Sequence, residues 1–120
     1  MSVTRQHLGR LGEAAATRYL ERAGWQIVDR NYRCPLGEID IVGRDGDALV
    51  FVEVRTRSNS RFGAPEESVT PAKARRMAQC ALAYLEAHPA HDGDWRVDFV
   101  AVLIERGRVV RLEHYKHALQ

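Results

Sequence analysis

Apolar residues recur at helical spacing in two segments of the chain. The first segment predicts an amphipathic helix from about Thr4 to Ala23, because its apolar residues form one stripe three or four positions apart. The second predicts a helix that begins at Thr70-Pro71, an N-cap and first-turn pair, and ends before Pro89. The two stripes consist of Leu8, Leu11, Ala15, Tyr19 and Ala23 in the first helix and of Met77, Cys80, Ala81, Tyr84, Leu85 and His88 in the second.

Between the two helices the polarity pattern changes to the two-residue alternation of β-strands. Residues 38–42 alternate, and residues 48–56 are rich in Val. The Asp45-Gly46 dipeptide between them is typical of a tight turn, so this part of the sequence predicts a β-hairpin.

Three further strands complete the predicted order αβββαββ. A looser strand pattern runs from Trp25 to Tyr32, ahead of the hairpin, and residues 95–104 and 108–115 follow the second helix. Asp98 interrupts an otherwise apolar strand, so it is expected either to be paired in the core or to lie near a functional site.

Length and composition restrict the class of protein. The chain has 120 residues, of which 45% are hydrophobic and 28% charged, as expected of one globular domain over residues 1–120. No apolar stretch approaches the ~18 residues of a membrane span, and residues 1–12 lack the apolar core of a signal peptide. We therefore expect a cytoplasmic protein without a membrane partner. Cys34 and Cys80 have no paired spacing, so reduced thiols are expected rather than a disulfide or a zinc site.

Positive charge flanks an acidic centre. All but Lys73 and Lys116 of the 18 basic residues are arginine, the better bidentate phosphate ligand. Residues 1–33 and 61–79 are basic, whereas residues 34–60 carry more carboxylates than arginines. This distribution suits a polyanion held over an acidic, metal-binding patch.

The predicted hairpin places Asp40 and Glu53 on one face. With Asp45-Gly46 as a two-residue loop the two carboxylates are diagonal neighbours, roughly 7 Å apart at Cβ, and a turn two residues longer pairs them directly. Carboxylates that meet in an apolar hairpin need a compensating cation or raised pKa values. Oxygen ligands of this kind suit Mg²⁺ or Mn²⁺, and Glu38 lies on the same face. The alternative is an ordinary solvated face of an antiparallel hairpin.

A basic cluster opens the second helix. Lys73, Arg75 and Arg76 lie in its first turns, where the helix dipole disfavours cations by ~0.3–1 kcal/mol each. A bound phosphate would gain from the helix end and from these side chains, which predicts a nucleic-acid contact. The alternative is a solvated basic face. Arg57 and Arg61, on the loop predicted after the hairpin, are candidates to close over a nucleic-acid strand.

Five segments spread over nearly the whole chain carry a family resemblance. They are Gly12-Glu13-Ala14-Ala15-Ala16, Gly37-Glu38-Ile39-Asp40-Ile41, Phe51-Val52-Glu53-Val54-Arg55-Thr56-Arg57, Val69-Thr70-Pro71-Ala72-Lys73 and Arg96-Val97-Asp98-Phe99-Val100. Together these motifs resemble the YraN family of uncharacterised bacterial proteins. That family in turn resembles the archaeal Holliday-junction resolvases and the restriction-endonuclease-like, or PD-(D/E)XK, superfamily. The superfamily pattern is an Asp, then Glu-x-Lys on the next strand, with a helical Glu ahead.

The resemblance implies a fold, a chemistry and partners. The implied fold is a single α/β domain with a mixed, mostly antiparallel central sheet flanked by the two helices. The implied activity is metal-dependent hydrolysis of phosphodiester bonds by an endonuclease. Asp40 and Glu53 would be the Mg²⁺ or Mn²⁺ ligands, and Glu13 would orient a ligand water or a second ion. The implied partner is nucleic acid, DNA rather than RNA, and the implied assembly is a homodimer.

One position departs from the superfamily pattern. Arg55 stands where the superfamily usually has lysine. Because arginine is always protonated, Arg55 would contribute to catalysis only through its charge. Water activation would then depend on the metal or on another residue, such as Lys73. Two alternatives stay open: a catalytically weak or inactive nucleic-acid-binding module on the same fold, and a protein–protein interaction domain.

Overall fold

Two α-helices cover opposite faces of one five-stranded sheet. The computed structural model describes residues 4–58 and 70–118 of the chain. The elements are α1 (Arg5–Arg22), β1 (Gln26–Cys34), β2 (Gly37–Asp45), β3 (Ala48–Arg57), α2 (Pro71–Ala87), β4 (Trp95–Glu105) and β5 (Arg108–Tyr115). Their order confirms the predicted αβββαββ.

The strands lie in the sheet in the order of the chain, from β1 to β5. Neighbouring strands are antiparallel except β3 and β4, which are parallel. A parallel pair needs a crossover connection, and α2 lies between these two strands in the chain. The sheet is therefore mixed and mostly antiparallel, as predicted.

Both helices begin close to the residues predicted from the sequence, and each is capped by a threonine, of which only Thr70 was predicted as an N-cap. Thr4 Oγ1 accepts a hydrogen bond from the backbone N–H of His7 (3.1 Å), and Thr70 Oγ1 accepts one from the backbone N–H of Lys73 (3.2 Å). Each bond satisfies one of the free backbone donors of a first helical turn. Within the described part of the chain, neither helix has the length and apolar character needed to cross a membrane.

Alternation along β3 divides the core into two layers. Val50, Val52 and Val54 belong to the layer under α1, whereas Leu49 and Phe51 belong to the layer under α2. These are the two faces that the sequence alternation predicts. Side chains at odd-numbered positions of β3 therefore face the side of the sheet that α2 covers.

Asp98 is paired in the core, one of the two alternatives that the sequence left open. Its side chain is fully buried, with Oδ2 2.7 Å from Nε2 of His114 and Oδ1 3.0 Å from Nε of Arg96. The backbone N–H of His117 also donates to Oδ1 (3.1 Å). Burial by itself would raise the pKa of Asp98, but the hydrogen bonds more than offset it, so the pKa lies below its ordinary value.

The hairpin turn lies one residue later than its sequence signal predicts. Asp45 pairs with Ala48, so the two-residue loop is Gly46-Asp47 and the prediction of Asp45-Gly46 was wrong. β2 continues through Asp45, and Gly46 takes a φ of 60°, which glycine adopts without strain. The change moves the pairing register of the two strands by two positions.

Cys34 and Cys80 form a disulfide, with their Cα atoms 5.9 Å apart. The prediction of reduced thiols was therefore wrong. Cys34 ends β1, and Cys80 lies on the buried face of α2, in the core layer that also includes Cys34 at its margin. Their sequence separation of 46 hides this proximity, because it depends on how α2 docks on the sheet rather than on spacing along the chain.

Candidate metal and nucleic-acid site

The candidate site lies where β2 and β3 stop pairing. Their register ends with Ile41 opposite Val52, and one further step would place Asp40 opposite Glu53. Asp40 Oδ2 instead accepts a 2.8 Å hydrogen bond from the backbone N–H of Val54. The Asp40 carboxylate is thus fixed at the end of the hairpin, and it shares a cavity with Glu53 under α2.

A close crossing of α1 over β3 brings Glu13 toward this end of the sheet. A Cβ atom on Gly12 would lie 1.8 Å from Oγ1 of Thr56. Only glycine therefore permits this approach of the helix to the strand. Glu13 follows directly in the chain, and its charge is one of those that act on Asp40.

Asn31 connects Glu13 to the hairpin. With its amide oriented as the surrounding acceptors require, the nitrogen donates to Oε1 of Glu13 and to Oε1 of Glu38, each at 3.0 Å. Asn31 has a φ of 55°, a left-handed conformation that Asn adopts more readily than most residues. The sequence did not point to Asn31 as a site residue, because the tolerance of Asn for a left-handed φ does not indicate a site.

Carboxylates and cationic side chains face each other in a cavity of about 330 Å³. Glu38, Asp40 and Glu53 come from β2 and β3, whereas Lys73 and Arg76 come from α2. The remaining lining residues are Leu36, Gly37, Met77 and Cys80. The volume lies within the range of ligand-binding clefts.

The two carboxylate oxygens of Glu53 have different surroundings among the described residues. Its Oε1 lies 3.3 Å from Nζ of Lys73, and both side chains are less than a fifth exposed. Its Oε2 is buried and has no hydrogen-bond partner within the described residues. Because an unsatisfied buried acceptor costs stability, this oxygen is an available ligand for a cation.

The pKa of Asp40 is raised to about 7. Burial is the largest cause, and the hydrogen bond from Val54 opposes it. The charges of Glu13, Glu53 and Glu38 add to the increase. The pKa of Glu13 is also raised, by burial and then by Glu38, against the lowering effect of Arg30. A divalent cation would relieve this repulsion by binding the ionised carboxylates.

Most of the predicted site residues come together. Asp40, Glu53, Lys73 and Arg76 line the cavity, and Glu13 lies beside it, held through the Asn31 amide.

Other predicted residues lie apart from the cavity or beyond the described chain. Arg55 and Arg75 are exposed and do not line it. Arg57 ends β3 and is half-buried. Arg61 lies outside the described residues.

The donor set fits a hydrated Mg²⁺ or Mn²⁺ rather than a fully enclosed ion. Across residues 4–58 and 70–118, no three His, Cys, Asp or Glu side chains converge into a cage that could hold a metal ion. Mg²⁺ usually keeps several waters and binds through one or two carboxylates plus substrate phosphates. Asp40 and Glu53 match that requirement, since Oε2 of Glu53 has no hydrogen-bond partner in the part of the chain that the structure describes.

Sequence comparisons place the chain in a family. Residues 12–102 match the family model described as uncharacterised protein family UPF0102. A UPF0102 protein of Beutenbergia cavernae is 49% identical over 109 residues, which cover 91% of this chain and 92% of that protein. UPF0102 proteins of Pelotomaculum thermopropionicum and Moorella thermoacetica are 48% and 47% identical over 119 residues, which cover 98% of this chain and 99% of each relative. The chain therefore belongs to the UPF0102, or YraN, family, as its motifs predict.

Proposed function

We propose that this protein binds nucleic acid, DNA in preference to RNA, and hydrolyses phosphodiester bonds with the help of Mg²⁺ or Mn²⁺. The observation that carries the proposal is that Asp40 and Glu53 line the same cavity as Lys73 and Arg76. The carboxylates suit a divalent cation, and the two cationic side chains suit a phosphate. Together they suit a metal ion and the phosphate group on which it acts.

Asp40 and Glu53 would hold the metal ion. When bound, the ion supplies a Lewis acid for the phosphate and lowers the pKa of a water molecule. Glu53 offers its unpartnered Oε2, and Asp40 is kept in place by the Val54 hydrogen bond. Glu13, held by Asn31, adds negative charge beside these two ligands and would orient a ligand water.

Lys73 and Arg76 would bind the phosphate at the start of α2. The helix dipole and the free backbone N–H groups of a first turn favour an anion there. Lys73 is already positioned by its ion pair with Glu53. Arg75 and Arg57, outside the cavity, would extend the positive surface along the nucleic-acid backbone, where contacts fix position rather than sequence.

The architecture supports the restriction-endonuclease-like fold as the fold of this site. A mixed sheet carries one helix on each face, and the acidic residues lie where two adjacent strands stop pairing. In the resembled nucleases the metal ligands come from an Asp and from a Glu on the next strand, the positions of Asp40 and Glu53. The same resemblance implies a homodimer, which sedimentation of the purified protein would test.

Cleavage assays with matched variants test this function. Labelled branched, double-stranded and single-stranded DNA is incubated with the protein and Mn²⁺, and products are separated on denaturing gels. Asp40→Asn or Glu53→Gln should abolish cleavage and preserve or strengthen binding, because a carboxylate that repels the phosphate has lost its charge. Asp92→Asn and Glu105→Gln change exposed residues outside the cavity and should cut like the wild type. Cleavage that survives the loss of both Asp40 and Glu53 would contradict the site assignment.

A non-catalytic nucleic-acid-binding module is the second candidate function. It is favoured by Arg55, which replaces the lysine of the resembled nucleases and lies exposed outside the cavity. If the site is active but impaired by this arginine, Arg55→Lys should keep or raise cleavage with Mn²⁺. If the wild type and Arg55→Lys both bind DNA and metal and neither cuts, the binding module replaces the nuclease.

A further inference from the structure

A disulfide forms part of the wall of the candidate site. Cys80, on α2, lines the cavity and is 1% exposed, and its sulfur is bonded to that of Cys34 at the end of β1. A Cβ atom on Gly37, another lining residue, would lie 3.7 Å from the Cys80 sulfur. A change in the state of this bond would therefore act directly on the cavity.

The disulfide anchors the face of α2 that carries the two cationic lining residues of the cavity, Lys73 and Arg76. Lys73, Arg76 and Cys80 are separated by three and four residues, so they lie along one face of the helix. Other contacts also hold this face to the sheet, among them the packing of Met77, Ala81 and Tyr84 in the core layer under α2 and the ion pair of Lys73 with Glu53. These contacts are noncovalent, whereas the disulfide is a covalent link between α2 and the end of β1.

We propose, on the basis of the proposed function, that the Cys34–Cys80 disulfide is a redox switch for this site. The disulfide form holds Lys73 and Arg76 across the cavity from Asp40 and Glu53 and binds nucleic-acid phosphate. Reduction to two thiols removes the covalent link between α2 and β1, loosens the face of α2 that carries Lys73 and Arg76, and weakens that binding.

The chemistry of the switch is thiol–disulfide exchange with a dithiol reductant. A thiolate of the dithiol attacks the sulfur of Cys34, because Cys34 is half-buried whereas Cys80 is almost fully buried. The Cys34–Cys80 bond breaks, the Cys80 sulfur leaves as a thiolate that takes up a proton, and a mixed disulfide forms. The second thiol of the reductant then displaces the Cys34 sulfur. Two electrons and two protons pass to the protein, and the dithiol becomes a cyclic disulfide.

The test begins with the state of the two cysteines and the mobility of α2. The full-length protein is treated with oxidised glutathione or with dithiothreitol, freed of reagent, alkylated and weighed by mass spectrometry. The oxidised sample should take up no alkylating groups and the reduced sample two. Hydrogen exchange of the α2 backbone amides should be faster in the reduced sample, because a restraint on the helix has gone.

Binding is then measured with a fluorescent single-stranded oligonucleotide in EDTA, so that cleavage does not contribute. The reduced protein should bind about tenfold more weakly than the oxidised protein. Cys34→Ser, which removes the half-buried partner, should bind like the reduced wild type and should not respond to dithiothreitol. Cys80→Ala should behave in the same way and serves as a second variant if Cys34→Ser does not fold.

Two results would contradict the proposed redox regulation: free thiols in the oxidised sample, or equal oligonucleotide affinity in the two redox states. Failure of the proposed function gives a different pattern. In that case reduction still speeds the hydrogen exchange of the α2 backbone amides, but neither redox state binds the oligonucleotide and neither binds Mn²⁺. That pattern would support the coupling of the disulfide to α2 and overturn the nucleic-acid site that it was proposed to control.

Discussion

Nζ of Lys73 lies 3.3 Å from Oε1 of Glu53 and joins the start of α2 to β3 at the candidate site. Arg55, two residues after Glu53 on the same strand, is exposed and lies outside the cavity. The positive charge that pairs with the acidic residue of β3 therefore comes from a helix and not from β3 itself. This ion pair neutralises Glu53, and in the proposed function Lys73 also binds phosphate.

The basic start of α2 should account for much of the salt dependence of nucleic-acid binding. Replacing Lys73, Arg75 and Arg76 together with alanine should weaken binding to all sequences alike, because phosphate contacts carry no sequence information. The slope of log affinity against log salt concentration should fall by roughly two to three units. Fluorescence anisotropy over a salt series measures both quantities.

A control triple variant removes the same charge from the other face of the protein and should change the slope less. It replaces the exposed α1 residues Arg5, Arg10 and Arg22 with alanine. Binding that is absent even at low salt would leave only the protein–protein interaction domain. Binding that does not respond to the α2 triple change would contradict the assignment of Lys73, Arg75 and Arg76 to phosphate contacts.

Gly12→Ala should destabilise the protein by about 1–3 kcal/mol, because its Cβ would lie 1.8 Å from Oγ1 of Thr56. Gly9→Ala is the matched control on the same helix. Its Cβ would meet nothing within 4 Å, so it should be neutral or stabilise by up to about 1 kcal/mol through helix propensity. Urea unfolding measures the change in stability of both single variants. The double variant Gly12→Ala, Thr56→Ala should recover part of the loss, and equal stability of the two single variants would contradict the close crossing.

The stability of the protein should depend on the charge of Asp40. Its pKa is raised from 3.8 to about 7, so below pH 3.8 the carboxyl is protonated in both the folded and the unfolded state. As the pH rises toward 7, the unfolded state loses this proton first and the folded state becomes less stable. Above pH 7 Asp40 is ionised in both states, and the folded state carries the full destabilisation caused by its buried charge. Asp40→Asn should therefore be more stable than the wild type at about pH 8, on the order of 2–4 kcal/mol.

The measurement is urea unfolding of the wild type and Asp40→Asn at about pH 4 and pH 8, with and without Mn²⁺. The difference in the free energy of unfolding between Asp40→Asn and the wild type should shrink at the lower pH, where the Asp40 carboxyl of the folded wild type is neutral. Mn²⁺ should stabilise the wild type at the higher pH and should stabilise Asp40→Asn much less. A pH-independent difference would contradict the raised pKa of Asp40.

Asp98→Asn should destabilise the protein strongly, by about 3–5 kcal/mol at neutral pH, because Arg96 and His114 lose the carboxylate between them. The pKa of Asp98 is lowered in the folded state. Its contribution is thus fully present above the ordinary pKa of an Asp and is lost as the pH falls through the lowered value. Unfolding curves of both proteins should converge below about pH 4. A difference in the free energy of unfolding between the wild type and Asp98→Asn that stays constant down to the lowest pH would contradict the lowered pKa of Asp98.

Local signals in the sequence predicted the elements well. The Thr70-Pro71 pair predicted the start of α2, since Thr70 satisfies a backbone donor three residues ahead in the chain. The spacing of apolar residues predicted α1. Alternation along β3 predicted which side chains face each layer. The turn was misplaced by one residue, because Asp-Gly identifies a tight turn without fixing how far the preceding strand continues.

Features that depend on docking between distant elements were not predictable. The Cys34–Cys80 bond requires the position of α2 over the end of β1, which no spacing along the chain encodes. The role of Asn31 requires a left-handed backbone and the approach of α1. The two carboxylates were predictable together because they belong to one hairpin, whose geometry is local.

The most direct measurement is the anomalous difference density of a crystal soaked with Mn²⁺ and collected at the manganese edge. If Asp40 and Glu53 hold the metal ion, wild-type crystals should show a peak within ligand distance of both side chains, and Asp40→Asn crystals soaked in the same way should lack it. A crystal with strong Mn²⁺ density elsewhere, and with Lys73 still paired to Glu53 and no density at the cavity, would contradict this assignment of the metal site.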